Sequence, residues 1–156
     1  MVARWSVHIN HATDGSDKDP LEVCRDALRR TIELLRGAGV EEIVICGEVP
    51  RQAMTPPQVA VRAWWLEFNP REAGVSRQRH DLEQAESRKF LDFASAMEGV
   101  RVIDLGEQCF DGQGVARAQD ADGTLYTDDD HLDLRGARLY LHETFRSLLG
   151  DPQKLR

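Results

Sequence analysis

The chain has 156 residues, 41% hydrophobic and 30% charged, proportions that support one buried core of single-domain size and exclude a disordered chain. Its 27 acidic against 20 basic side chains give a net charge of -7, which excludes a generic nucleic-acid or anionic-membrane binder, because those need a basic surface. No run approaches the ~18 apolar residues of a membrane span. The opening Met-Val-Ala-Arg-Trp-Ser-Val-His has no apolar core of a secretion signal, and the three cysteines, Cys24, Cys46 and Cys109, are too scattered for a disulfide framework or zinc ribbon.

Met1 to Val7 reads as a strand, with β-favouring Val2, Trp5 and Val7 and no cap or turn residue. His8 to Lys18 is a polar loop. Asp19 then suits a helix cap, Pro20 the first helical position and Glu22 the partner position of a capping box. Leu21, Cys24, Leu28, Ile32 and Leu35 recur every three or four residues as an apolar stripe, and Gly37 and Gly39 end the helix. Arg25, Arg29, Arg30 and Arg36 form its solvated face. Val40 to Cys46, with Ile43, Val44 and Ile45 consecutive, predicts a strand covered on both faces, as in a parallel sheet.

Gly47 to Pro57 holds three prolines, Pro50, Pro56 and Pro57, and reads as a loop. A helix follows over Val59 to Phe68, with Trp64 and Trp65 adjacent. Adjacent helical residues diverge by ~100°, so one tryptophan is expected in the core and the other over a substrate or partner domain. Asn69-Pro70 to Ser76 breaks the helix. A longer helix carries Leu82, Ala85, Phe90, Phe93 and Met97, and Gly99 ends it. Val100 to Leu105 is another strand. Gly106 to Asp130 is a polar segment with four glycines, and Leu134, Ala137, Leu141, Phe145 and Leu148 mark a final amphipathic helix.

The order β-α-β-α-α-β-loop-α predicts an α/β fold with right-handed crossovers, a parallel sheet and three α/β/α layers. Three strands are few for such a sheet. The sheet is therefore expected to be incomplete, lacking its first strands, with an open edge suited to self-association.

The densest polar cluster is Leu125 to Leu132, just before the final helix. Asp128 and His131 are three apart, and on a turn entering a helix the carboxylate reaches the near ring nitrogen. That fixes the tautomer, stabilises the imidazolium and leaves proton transfer to the other nitrogen. The alternative is a solvated acidic first turn, favoured by the helix dipole. His8 and His11 could join Asp128 and His131 in a divalent-metal site, or be loop histidines in solvent. Asp120-Ala121-Asp122-Gly123 lacks the later ligand positions of a calcium loop and reads as a turn. Cys24 and Cys46 read as small buried hydrophobes.

Gly123 to Ala137, G-T-L-Y-T-D-D-D-H-L-D-L-R-G-A, resembles the closing motif of the SGNH domain carried by acyltransferase-three membrane proteins, L-Y-x-D-[D/N]-x-H-L-S-x-x-G-A. Ala3 to Ser6 resembles that family's central strand end. Gly47 to Arg51 and Pro56 to Ala63 resemble its proline-rich loop and helix. The resemblance implies an SGNH-hydrolase-like, flavodoxin-like fold, with residues 1–149 a partial domain and 150–156 a tail. It implies Asp128 as the orienting acid and His131 as the catalytic base of a Ser-His-Asp set, with no cofactor and no metal.

The family's nucleophile lies in a Gly-Asp-Ser block, which this sequence does not contain; its one Gly-Asp pair is Gly150-Asp151. Of the six serines, Ser16 is the nearest substitute, and it lies in a flexible loop. The chain therefore reads as N-terminally truncated, with little or no esterase activity alone. The family also implies a membrane acyltransferase domain as acyl-donor partner, a cell-surface glycan acceptor and an extracytoplasmic, periplasmic place. Asp133 stands where the family often has Ser, and Cys109 is single where the family's loop commonly has two cysteines. The other readings are a degenerate, non-enzymatic binding or assembly module, and a metal-dependent phosphoesterase.

Overall fold

The computed structural model describes Trp5, Ile9 and residues 17–149. The chain forms two compact units, Met1–Glu48 with Asp81–Asp104, and Val49–His80 with Leu105–Arg156.

The first unit holds the parallel sheet. Helix α1 (Pro20–Gly37) starts with Asp19 accepting from the Leu21 N–H at 3.1 Å. It ends in a Schellman closure: the Gly39 N–H bonds to Arg36 O at 2.9 Å and the Val40 N–H to Leu35 O at 3.0 Å. Gly39 has φ +89°, a conformation that costs glycine nothing. Strand β1 (Ile43–Cys46) pairs in parallel with β3 (Val100–Ile103), Ile43 opposite Val100 and Cys46 opposite Ile103. Leu28 and Ile32 of α1 and Phe90, Leu91 and Ala94 of α4 (Ala85–Ser95) pack with Ile43 and Ile45. Phe90 and Ile45 have no exposed surface, and each such side chain is worth roughly 1.5–3 kcal/mol when buried.

Three expectations change. Of the strand foreseen at Met1–Val7, Trp5 is the residue described, and it lies in a helical turn with its carbonyl accepting from the Ile9 N–H at 2.9 Å. Its ring sits 4.9 Å from that of Phe90, and its indole N–H donates to Cys46 O at 2.8 Å. Strand propensity is a preference for a packed surface, and here the helical turn supplies the packing. The single long helix is two, α3 (Arg77–Glu83) and α4, divided at buried Gln84. Arg25, foreseen as solvated, is half-buried with its guanidinium over the Phe93 ring at 5.3 Å, while Arg29 is exposed as foreseen and lies 5.5 Å from the same ring.

The second unit is built from short elements. Helix α2 (Pro56–Leu66) opens with the Thr55 N–H donating to Gln58 Oε1 at 2.9 Å. Val59 packs with Ala73 and Ala118. Strand β2 (Gly74–Ser76) pairs antiparallel with β4 (Val115–Arg117), and β5 (Gln119–Asp120) with β6 (Gly123–Thr124). Helix α5 (Leu134–Leu149) closes the unit. The α/β class and its parallel pair hold, but these strands lie in segments read as a helix break and a polar loop. Two or three residues are too few to show a period. Both Trp64 and Trp65 are exposed, at 80% and 73%, so neither fills the core. Among the described residues no helix is long and apolar enough to cross a membrane.

Candidate active site

The site grows from a self-closing loop of the second unit. The Leu125 N–H donates to Ala118 O, and Leu125 O accepts from the Asp133 N–H, both at 3.0 Å. Tyr126 and Leu132 form an isolated antiparallel bridge, and the Thr127 N–H reaches His131 O at 2.8 Å. Buried Leu125 and Tyr126 anchor the base of this loop. Residues 128–131 are thereby carried at its tip.

Asp133 terminates the loop and caps α5. Its Oδ1 accepts from the Gly136 N–H at 2.7 Å, and its Oδ2 accepts from Thr124 Oγ1 at 2.9 Å. The aspartate standing in the serine position of the resembling motif is thus a competent cap.

Asp128 organises the tip. Its Oδ1 accepts from the backbone N–H groups of Asp130 at 3.0 Å and His131 at 2.8 Å. The same carboxylate meets Nδ1 of His131, at 2.9 Å for Oδ2 and 3.1 Å for Oδ1. The Asp130 N–H first, then the His131 N–H and ring, bring its pKa down to about 2. His131 is 75% exposed and Asp128 44%. An anionic carboxylate on Nδ1 selects the Nδ1–H tautomer and steadies the imidazolium, which directs proton exchange to Nε2.

Two further side chains enter that spacing alone did not single out. Asp130 Oδ1 lies 2.9 Å from the same Nδ1. Asp129 turns to Arg51, whose Nε donates to Oδ2 at 2.7 Å, while Asp129 O accepts from the Gln52 N–H at 2.6 Å. The end of the Gly47–Arg51 segment is therefore bonded to the Asp-Asp-Asp-His block. The two blocks lie 78 residues apart, measured from Arg51 to Asp129, so no local pattern could announce their contact.

Of the other expected participants, His8, His11 and Ser16 lie outside the described residues. The close group at the loop tip is Asp128, Asp130 and His131, with donor atoms within 4.8 Å of one another. Asp120 is tied to Arg135 and accepts from the Asp122 N–H at 2.8 Å, which makes its segment a pinned turn. Cys46 and Cys109 are buried, Cys24 is half-buried, and none is in a disulfide. Burial raises the Cys24 and Cys46 thiol pKa values.

A family model described as "SGNH domain (fused to AT3 domains)" matches residues 1–144. Among solved structures, the periplasmic domain of a lipopolysaccharide acetyltransferase from Salmonella ser. Paratyphi A is similar, with a TM-score of 0.56 and 15% identity over 90% of this chain. A Streptococcus pneumonia protein named for platelet activating factor has a TM-score of 0.51 and 14% identity over 89% of this chain. The chain spans 54% and 55% of those two chains. At such identities the likeness is one of fold. Comparison with curated proteins yields no significant match.

Proposed function

The chain belongs to the family of SGNH domains fused to AT3 domains, and from that membership we propose that it supplies the acid and base of an O-acyl transfer or ester hydrolysis on cell-surface glycans. The acyl group is acetyl in this reading. A membrane acyltransferase domain delivers it, and the chain works outside the inner membrane. The observation that carries the proposal is the contact between Asp128 and Nδ1 of His131 at 2.9 Å, on a ring that is mostly open to solvent.

In the proposed reaction, Nε2 of His131 takes the proton of a serine hydroxyl as its oxygen attacks the acyl carbonyl. The imidazolium returns that proton to the departing group of the donor. A glycan hydroxyl, or water, then attacks the acyl-serine, losing its proton to Nε2, and the serine leaves with that proton. Asp128 stays ionised throughout and holds the ring. The sequence contains no Gly-Asp-Ser block, so the chain alone is expected to lack the nucleophile and to show little or no turnover.

The test supplies that block. The chain preceded in frame by a Gly-Asp-Ser segment from a family member should react with a fluorophosphonate probe and hydrolyse nitrophenyl acetate, and His131→Gln should abolish both. The chain as it stands should remain unlabelled. Labelling that persists in His131→Gln would overturn the assignment of the base.

A further inference from the structure

We propose that Asp130 is a second positioning carboxylate for His131, sharing Nδ1 with Asp128; this rests on His131 being the base. Nδ1 lies 2.9 Å from Asp128 Oδ2 and 2.9 Å from Asp130 Oδ1. The two carboxylates are not equivalent. The Asp128 side chain is 44% exposed, whereas that of Asp130 is 14% exposed. A charge pair between two open side chains is weakened by water and by the freedom of both partners. Withdrawing one carboxylate from solvent lowers the local screening. Asp130 is therefore the less screened of the two partners and Asp128 the one pinned by backbone N–H groups, in a site whose imidazole is itself 75% exposed.

The backbone explains how one turn delivers both. Asp128 Oδ1 accepts from the N–H groups of Asp130 and His131, which curls the chain until the Asp130 side chain comes back to the ring. Among the described residues, Asp128 and Asp130 bring their carboxylates to the ring. Asp129 is turned to Arg51, which reaches the tip from the segment after β1. With two anions on one nitrogen, the Nδ1–H tautomer and the ring orientation survive loss of either carboxylate. The imidazolium formed during proton transfer gains from both.

The experiment is imidazole ¹⁵N NMR of the 156-residue chain, comparing wild type with Asp128→Asn, Asp130→Asn and the double variant. Amide spectra report whether each is folded. Each single variant should titrate at lower pH than wild type, and the double variant lower still. In Asp128→Asn, which leaves Asp130 untouched, the neutral ring should keep Nδ1–H as its main tautomer. A wild-type midpoint and tautomer in folded Asp130→Asn, or a double variant indistinguishable from Asp128→Asn, would overturn the proposal. Because the signal comes from the ring itself, that result leaves the assignment of the base standing. Failure of His131→Gln to affect labelling would remove the base and leave the two-carboxylate contact intact.

Discussion

A Cβ on Gly136 would stand 2.1 Å from the carbonyl oxygen of Leu125. The first turn of α5 therefore lies against the backbone at the base of the loop that carries Asp128 and His131. Gly136→Ala forces backbone apart, because the obstructing atom is not a flexible side-chain end. Overpacking of this kind costs typically 1–3 kcal/mol, and a value of about 3 kcal/mol is expected. Urea unfolding measures it. A Gly136→Ala protein as stable as wild type would show that α5 does not press on Leu125.

Asp133 tests the cap separately. Asp133→Ala removes the acceptor for the Gly136 N–H and should cost about 1 kcal/mol. Asp133→Ser keeps an oxygen in reach of that N–H and should recover most of the loss. Equal destabilisation by both substitutions would place the role of Asp133 in its bond from Thr124 instead.

The acid limb of stability should report on Asp128. Its folded pKa is depressed to about 2, below an unfolded value near ~3.9. Its contribution is present above the unfolded value and is lost as pH falls from about 4 towards about 2. Asp111 and Asp120 also have lowered pKa values, from backbone hydrogen bonding led by Val115 and from the Arg135 guanidinium respectively. They lose stability in the same direction. The diagnostic is therefore the difference between wild type and Asp128→Asn: urea stability should fall less steeply on acidification in the variant. Parallel curves would show that the Asp128 contacts are not made in solution.

Trp64 and Phe90 form a contrast in exposure. Trp64 is 80% exposed and Phe90 has no exposed surface. Trp64→Ser should leave stability within about 0.5 kcal/mol, while Phe90→Ala should cost about 3–5 kcal/mol by opening a cavity beside Trp5 and Ile45. Chemical denaturation of the two variants in parallel decides it. A large loss from Trp64→Ser would mean that α2 is covered in solution.

Local chemistry made much of this protein readable from its residues. Asp19 and Pro20 mark the start of α1, the continuous run Ile43-Val44-Ile45 marks a covered parallel strand, and a three-residue spacing brings Asp128 to the ring of His131. Each depends on neighbours a few bonds away, so a periodic or capped segment carries its own signal. Tertiary structure decided the rest. The helical turn at Trp5, the pairing of the short strands β2 and β4 and the bond from Arg51 to Asp129 all depend on partners remote in sequence. Such contacts leave no period to read, because their free energy comes from surfaces that meet only once the chain has folded.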